Sequence, residues 1–378
     1  MLIGIDGNEA NIEKKVGVNQ YAFELLCSIY KLQNEDKIKH RLIVYLKNSP
    51  RDDLPKENRN FRYKILPGGG LWIITKLMPH LFFAKERPDV FFAPSHYLPP
   101  WIPMPKVCTI HDLGYLKFSG QFKKYDFWQL KYWTAISLFI SKAIIAVSTS
   151  TKKDIVRHYP STSEKIQVVH HGYDRKRFNA KVDKNDVRRV QKRYSIVGDY
   201  VLFISTLKPS KNIEGLLEVW KRVVKKFSDY QLVIAGKKGW LFDPIFKKVK
   251  DLRLKDKVIF TDFIPEEDKV ALIFGAKALT LPSFWEGFGM DVLNAMACGV
   301  PVVASDIEAL REVVGEAGIL VDPYNIEDIT RGITKVLSMG KIEYNRLVNK
   351  GLAQAGKFSW EDTARKTISV LEKAGENK

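Results

Sequence analysis

Apolar positions follow two rhythms along this chain, and the rhythms alternate from one end to the other. Short apolar, β-branched runs bounded by Gly, Pro, Asn or Asp read as buried parallel strands. They are LIGID, RLIVYL, FRYKIL, DVFFAPS, VCTI, AIIAV and KIQVV in the first half, then DYVLFIS, QLVIAGKKGW, KVIFT, AKALTLP and GVPVVAS in the second. Between them run stretches of helical period, such as VNQYAFELLCSIYKL after Gly17 and IEGLLEVWKRVVKKF after Asn212. Strands alternating with helices predict two α/β domains, each built on a parallel sheet. Three further helices are expected: a charged, surface-lying one over Asp183 to Tyr194, one over Leu71 to Lys85 broken near Pro79, and a terminal amphipathic one capped at Ser359. Ser148 and Ser150 are expected as N-cap residues, and Pro265, Glu266 and Glu267 as the first turn of a helix.

The chain is organised around residues 278–305, ALTLPSFWEGFGMDVLNAMACGVPVVAS. Its strand-like ends enclose a loop with Gly287 and Gly289, an apolar helix from Met290 to Cys298, and Gly299 at the position that closes a helix. Such a strand, glycine loop, helix and strand unit aims unpaired helix N–H groups past the carboxyl edge of the sheet, where phosphate is a common occupant. Glu286 stands alone at the mouth of that loop. Asp291 and Asn294 form a polar stripe on the helix, which either meets a ligand or marks a solvated edge.

The stretch resembles the signature of the family-4 retaining glycosyltransferases of GT-B fold, the group that includes glycogen-synthase-like and mannosyltransferase-like members. Their motif is a glutamate, seven residues, and a second glutamate. Glu286 matches the first, and Asn294 stands where the second holds the donor ribose. TLKPSKN, residues 206–212, resembles the loop in which the family grips the donor diphosphate. Lys211 matches its lysine, while Thr206 and Ser210 occupy both places where members carry an arginine, and Lys208 is the candidate to supply that charge. The lysines bind phosphate as point charges without the fork of an arginine. His111 in VCTIHD resembles a histidine that lies against the transferred sugar. As a residue after a parallel strand it is well placed for a site; a lone histidine is more often structural, and the fit of the surrounding stretch favours the site. Gly17 resembles the glycine of the first loop, or serves the turn alone. Gly236, at the end of QLVIAGKKGW, joins Gly289 and Met290 among the donor-binding candidates, and the turn from Thr261 to Ile264 lies where the family receives the base.

Composition bounds the rest. The 378 residues are 45% hydrophobic and 28% charged, values of an ordinary globular protein of two domains. Cys27, Cys108 and Cys298 have no metal or disulfide spacing. No metal-binding DxD motif occurs, and no cofactor is implied beyond the nucleotide sugar itself. The first residues carry no signal peptide and no stretch has the length of a spanning helix, so a cytoplasmic location is expected. The net charge of +18 is uneven, with 28 Lys and Arg against 16 Asp and Glu in residues 1–178. Such a field favours anionic partners. Zinc-finger, helix-turn-helix and RNP patterns are missing, which leaves nucleic acid without support. Tyr125, Phe127, Trp128, Lys131, Tyr132 and Trp133 cluster either as core aromatics or as an interfacial element on the inner face of an anionic membrane.

The resemblance implies a GT-B fold, two doubly wound Rossmann-like domains facing each other across a cleft. Residues 1–178 form the acceptor-side domain, 179–357 the nucleotide-sugar domain, and 358–378 a helix packing back on the first. It implies metal-independent transfer of a hexose, with mannose suggested by TLKPSKN, from a nucleotide diphosphate to a glycan or lipid-linked acceptor with retention. Glu286 and His111 are the catalytic candidates. Two rivals remain: a silent nucleotide-sugar-binding partner of a transferase complex, favoured by Asn294 and the missing arginine, and a dinucleotide enzyme, disfavoured because no GxGxxG follows the first strand.

Overall fold

The structure, a computed structural model, describes residues 1–121, 123–237, 239 and 242–376. Residues 238 and 240 of the QLVIAGKKGW stretch and the last two residues of the terminal helix stretch lie outside the described residues. The chain divides into two compact units, the first comprising Met1–Lys117, Lys123–Gly172 and Ser359–Lys378, the second Phe118–Phe122 and Tyr173–Phe358.

The first unit holds seven strands: β1 Leu2–Asp6, β2 Arg41–Leu46, β3 Phe61–Ile65, β4 Val90–Ala93, β5 Lys106–Ile110, β6 Ala143–Ala146 and β7 Ile166–Val168. They pair in the order β3-β2-β1-β4-β5-β6-β7, every pair parallel. The second unit holds β8 Tyr200–Ile204, β9 Gln231–Ala235, β10 Val258–Asp262, β11 Ala278–Leu281, β12 Val302–Ser305 and β13 Ile319–Val321. Their order is β10-β9-β8-β11-β12-β13, again all parallel. Both sheets thus share one doubly wound order, with a switch point between β1 and β4 in the first and between β8 and β11 in the second. Central strands are covered on both faces, so β1, β4, β8 and β11 are buried at every position. This is why their sequences run apolar without alternation. Two parallel sheets flanked by helices constitute the GT-B class of fold.

The helices follow the expected periods, with instructive departures. The stretch over 71–85 does not break at Pro79. A π-helical turn, Ile73–Leu77, runs straight into an α-helix, Met78–Phe83, whose first turn contains the proline. A proline there removes only an N–H that the new turn leaves unpaired. Ser148 caps the helix Thr149–His158 by accepting from the Thr151 amide, whereas Ser150 lies inside the first turn and is not a cap. Pro265 precedes the helix Glu266–Phe274 as its N-cap residue. The helix Lys184–Arg193 is more than a surface element: Arg189, Arg193 and Tyr194 donate to Asp268 at 2.8, 2.7 and 2.9 Å, and that carboxylate is fully buried. In the first unit the terminal helix Trp360–Glu376 lies beside the helix Val18–Asn34, and Ser359 accepts from the amide of Asp362.

Candidate active site

In the second unit the switch point gathers two loops. One follows β8 and carries Thr206–Asn212; the other follows β11 and carries Ser283–Gly289. The first is held by its neighbours at both ends. Leu207 donates to the Lys237 carbonyl and accepts from the Gly239 amide, both at 3.0 Å. Pro209–Lys211 form a 3-10 turn, and Asn212, left-handed at φ 54°, donates its side-chain amide to the Pro323 carbonyl at 2.8 Å. The loops meet where the Phe284 amide donates to the Ser210 carbonyl at 2.9 Å. Gly236 is required here: its φ is +148°, and a Cβ would stand 1.8 Å from the Ser205 carbonyl oxygen. Any side chain would force β9 away from the loop after β8.

This scaffold brings Lys211 and Glu286 together. Lys211 Nζ lies 2.6 Å from Glu286 Oε1, and the Ser283 hydroxyl donates to the same oxygen at 2.8 Å. The two side chains are 10% and 12% exposed. Glu286 therefore does not stand alone, and its partner comes from 75 residues earlier in the chain. Gly289, at φ +104°, is the N-cap of the helix Met290–Ala297, and Met290 opens its first turn. That turn presents backbone N–H groups without intrahelical partners. Lys208 lies on the same loop as Lys211, and Thr206 precedes it, partly buried beside Leu207.

The polar stripe on the helix is divided. Asp291 pairs with Lys269 of the helix Glu266–Phe274 at 2.6 Å. Burial works against the charge of Lys269, but Asp291 and Glu266 outweigh it and hold the ammonium above its ordinary value. Asn294 is 5% exposed, and among the described residues its side chain makes no hydrogen bond. The stripe is thus not a solvated edge: one member is neutralised within the protein and the other is buried with its amide uncommitted. At the end of β10, Asp262 turns the chain with φ 56°, and its carbonyl accepts from the Gly236 amide.

In the first unit His111 follows β5 and Gly17 caps the helix Val18–Asn34 at φ 52°, with open space where a Cβ would be. The His111 Nε2 lies 3.0 Å from the Pro94 carbonyl, which can only accept, so the neutral ring carries its proton on Nε2 and a lone pair on Nδ1. Burial pushes this imidazole below its ordinary pKa, against the Pro94 carbonyl and Asp112. Tyr21 meets the ring edge-on at 4.7 Å, His171 lies 5.7 Å away, and Trp360 stacks on His171 at 5.8 Å. These neighbours escape a reading of the sequence, although His171 follows β7 as His111 follows β5 and carries the same positional signal. Asp6 ends β1 and Glu9 lies three residues past it. Burial raises both carboxyls, Asp6 adds to the effect on Glu9, and Asn19 donates to Glu9 at 2.5 Å. Among the described residues no group of three or more His, Cys, Asp or Glu side chains is arranged to hold a metal ion.

A doubly wound pair of sheets with a basic and an acidic side chain meeting at a switch point, beside a glycine-capped helix, is the setting in which open α/β folds bind their ligands. Comparison with known proteins makes the class specific. Residues 33–177 match the glycosyltransferase family 4 model, and residues 192–354 match that of the glycosyl transferases group 1. The chain is a GT-B-fold glycosyltransferase related to these families. It is 29% identical to the O-antigen chain mannosyltransferase B of Escherichia coli over 74% of this chain and 73% of that protein. It is 27% identical to the serotype-specific mannosyltransferase WbdA of Escherichia coli over 71% of this chain, a match that spans only 33% of the relative. The Anabaena protein HepE, solved in complex with UDP and glucose, has a similar fold with a TM-score of 0.73 and 17% identity, over 98% of this chain and 99% of that one.

Proposed function

We propose that the protein is a retaining, metal-independent hexosyltransferase that moves mannose or a related hexose from a nucleotide diphosphate to a hydroxyl of a glycan or lipid-linked acceptor. The observation that carries this reading is the Lys211–Glu286 pair beside the start of the helix Met290–Ala297. In such a reaction the bond from the anomeric carbon to the diphosphate oxygen breaks, and its electrons leave with the diphosphate. The acceptor oxygen bonds to the same face of that carbon, and its proton passes to the leaving phosphate. Lys211, supplemented by Lys208 and the N–H groups at Gly289 and Met290, stabilises the developing negative charge. Glu286 holds sugar hydroxyls near the ring, and His111, uncharged, accepts a hydroxyl proton in a hydrogen bond at Nδ1. Asn294 meets the ribose. Thr206, Gly236 and Gly17 keep backbone close to the donor. The names of the two Escherichia coli relatives support mannose and cell-envelope glycan synthesis, and the UDP and glucose bound by HepE support a nucleotide-sugar donor.

The silent-partner reading keeps its specific support in Asn294 and in the missing arginine of residues 206–212. A panel of nucleotides and nucleotide sugars separates the two. A true donor at about 100 times its Kd adds roughly 2.7 kcal/mol to the stability of the folded protein, and turnover to a product of the donor's own anomeric configuration, read by NMR, establishes retaining transfer. Stabilisation by a nucleotide sugar without turnover on any glycan or lipid-linked acceptor favours the silent partner. An inverted product refutes the proposed mechanism.

A further inference from the structure

The donor chemistry leaves unused the aromatic helix Lys124–Ile140 of the first unit. Its rings divide by helical phase. Phe127 and Trp133 are half-buried, the first meeting Tyr115 edge-on at 6.2 Å and the second Tyr97 at 5.7 Å, so both belong to the interior side. Tyr125, Trp128, Tyr132, Ile136 and Phe139 are exposed instead, by 75, 45, 61, 45 and 56%. At about 100° per residue these five positions fall within roughly 80° of the helix circumference, and they run along it for about 21 Å. Trp128 and Tyr132 stack at 5.3 Å, and Lys131 Nζ lies 4.9 Å from the Trp128 ring centre. Lys124 and Lys131 fall about 40–60° beyond one border of the stripe, and Lys142 follows the helix end.

We propose that this face docks the protein on a lipid bilayer rich in anionic headgroups. Amphipathic rings favour the boundary between headgroups and acyl chains, and lysines bordering such a stripe meet lipid phosphates while their stems lie along the apolar surface. Charge decides the occupant. A second copy docked by two-fold symmetry would bring two lysine borders of a +18 chain against each other, whereas an anionic bilayer neutralises them. Among the described residues no helix is long and apolar enough to cross a membrane, so the attachment proposed is in the interface plane. This inference goes beyond the donor chemistry and does not depend on it.

The test is co-sedimentation of the full chain with phosphatidylglycerol vesicles and with phosphatidylcholine vesicles, across salt concentration. Binding is expected on the anionic vesicles only and is expected to weaken as salt rises. Lys124→Gln and Lys131→Gln should each lower partition about fivefold, and Trp128→Ser with Tyr132→Ser and Phe139→Ser should lower it more than tenfold. Nucleotide-induced thermal shift should be unchanged in these variants, which separates failure of docking from failure of the donor reading. Because the triple variant alters several rings, Trp128→Phe gives a second readout: bound protein should lose part of its tryptophan quenching by brominated lipid while still sedimenting. Absence of binding to phosphatidylglycerol at low salt, equal binding by the triple variant, or unchanged quenching in Trp128→Phe overturns the proposal. So does a solution dimer that the triple variant dissociates.

Discussion

If Lys211 is to grip a donor diphosphate, it must do so while a carboxylate already holds it. At 2.6 Å and an effective dielectric of about 20, the Lys211–Glu286 attraction is roughly 6 kcal/mol before desolvation. Since the two side chains are 10% and 12% exposed, desolvation takes back much of that. A charge-assisted hydrogen bond nets about 1.5–3 kcal/mol, so Lys211→Ala should weaken binding of a nucleoside diphosphate roughly 10- to 150-fold. Part of that loss comes from Glu286, which then faces the diphosphate with only Ser283 as partner. Two like charges about 6 Å apart repel by roughly 0.7–2.8 kcal/mol over the plausible range of dielectric. Adding Glu286→Gln to Lys211→Ala should therefore recover affinity by about 3- to 100-fold, the factors to which that repulsion corresponds. In the wild-type background the same Glu286→Gln should change nucleotide affinity less than tenfold, while lowering kcat by about 10²–10³ if the carboxylate acts mainly on the transition state.

The assay is a double-mutant cycle, with titration calorimetry for binding and single-turnover kinetics for chemistry. Variants that melt like the wild type are compared. Additivity of the two binding effects to within about 0.3–0.5 kcal/mol would mean that carboxylate and diphosphate do not share the lysine. Equal losses in kcat and nucleotide affinity for Glu286→Gln, or no loss, would remove Glu286 from catalysis.

Asn294→Ala should weaken the preferred nucleotide sugar by about 0.5–1.5 kcal/mol and erase its advantage over the 2′- or 3′-deoxyribose analogue; unchanged binding and turnover would make the residue packing. Burial, with a smaller contribution from the neighbouring His111, lowers His96 from 6.5 to about 4. The stability this neutral form contributes is complete above pH 6.5 and is lost as pH falls through about 4, so the melting temperature should drop across that window and drop less in His96→Gln. A pH profile identical in the two proteins would contradict the assignment. Asp268→Asn leaves Arg189, Arg193 and Tyr194 around a neutral amide and should cost about 2–4 kcal/mol in urea unfolding, discounted because both arginines are half-exposed; a cost below about 1 kcal/mol would show that the cluster contributes little.

Both parallel sheets were legible in the apolar runs, because strands covered on both faces must be apolar throughout. LIGID and RLIVYL coincide with β1 and β2, and GVPVVAS holds β12 as its last four residues. Local caps were less certain. Ser148 and Ser150 offer the same chemistry two residues apart, and only the start of the helix decides between them. A proline inside a helical period usually breaks it, but a π-to-α transition places Pro79 in a first turn, which no periodicity reports. The aromatic helix was visible as a cluster, but Tyr125, Trp128 and Tyr132 separate from Phe127 and Trp133 only once the helix start sets the phase.

The pairing that carries the proposed chemistry was out of reach for a different reason. A sequence shows that Lys211 follows one strand and Glu286 another, but neighbours in a sheet are not neighbours in the chain. Strand order converts the one into the other: β9 and β10 stack outward on one side of β8, so β11 returns to its other side and sets its loop against the loop after β8. The same winding in the first sheet sends β4 beside β1, so that the residues following β1 and β4 flank one switch point, with His111 one strand further along. Helices at the edges of a doubly wound sheet must turn away from each other at that point, which leaves the strand ends uncovered. The residues with no role in a core, Asp6 and Glu9 in one unit and Lys211, Ser283 and Glu286 in the other, are gathered where the winding leaves backbone and side chains without a covering helix. A carboxylate in such a place needs a partner from the adjacent loop until a ligand supplies one, and the Lys211–Glu286 contact meets that need in the second unit.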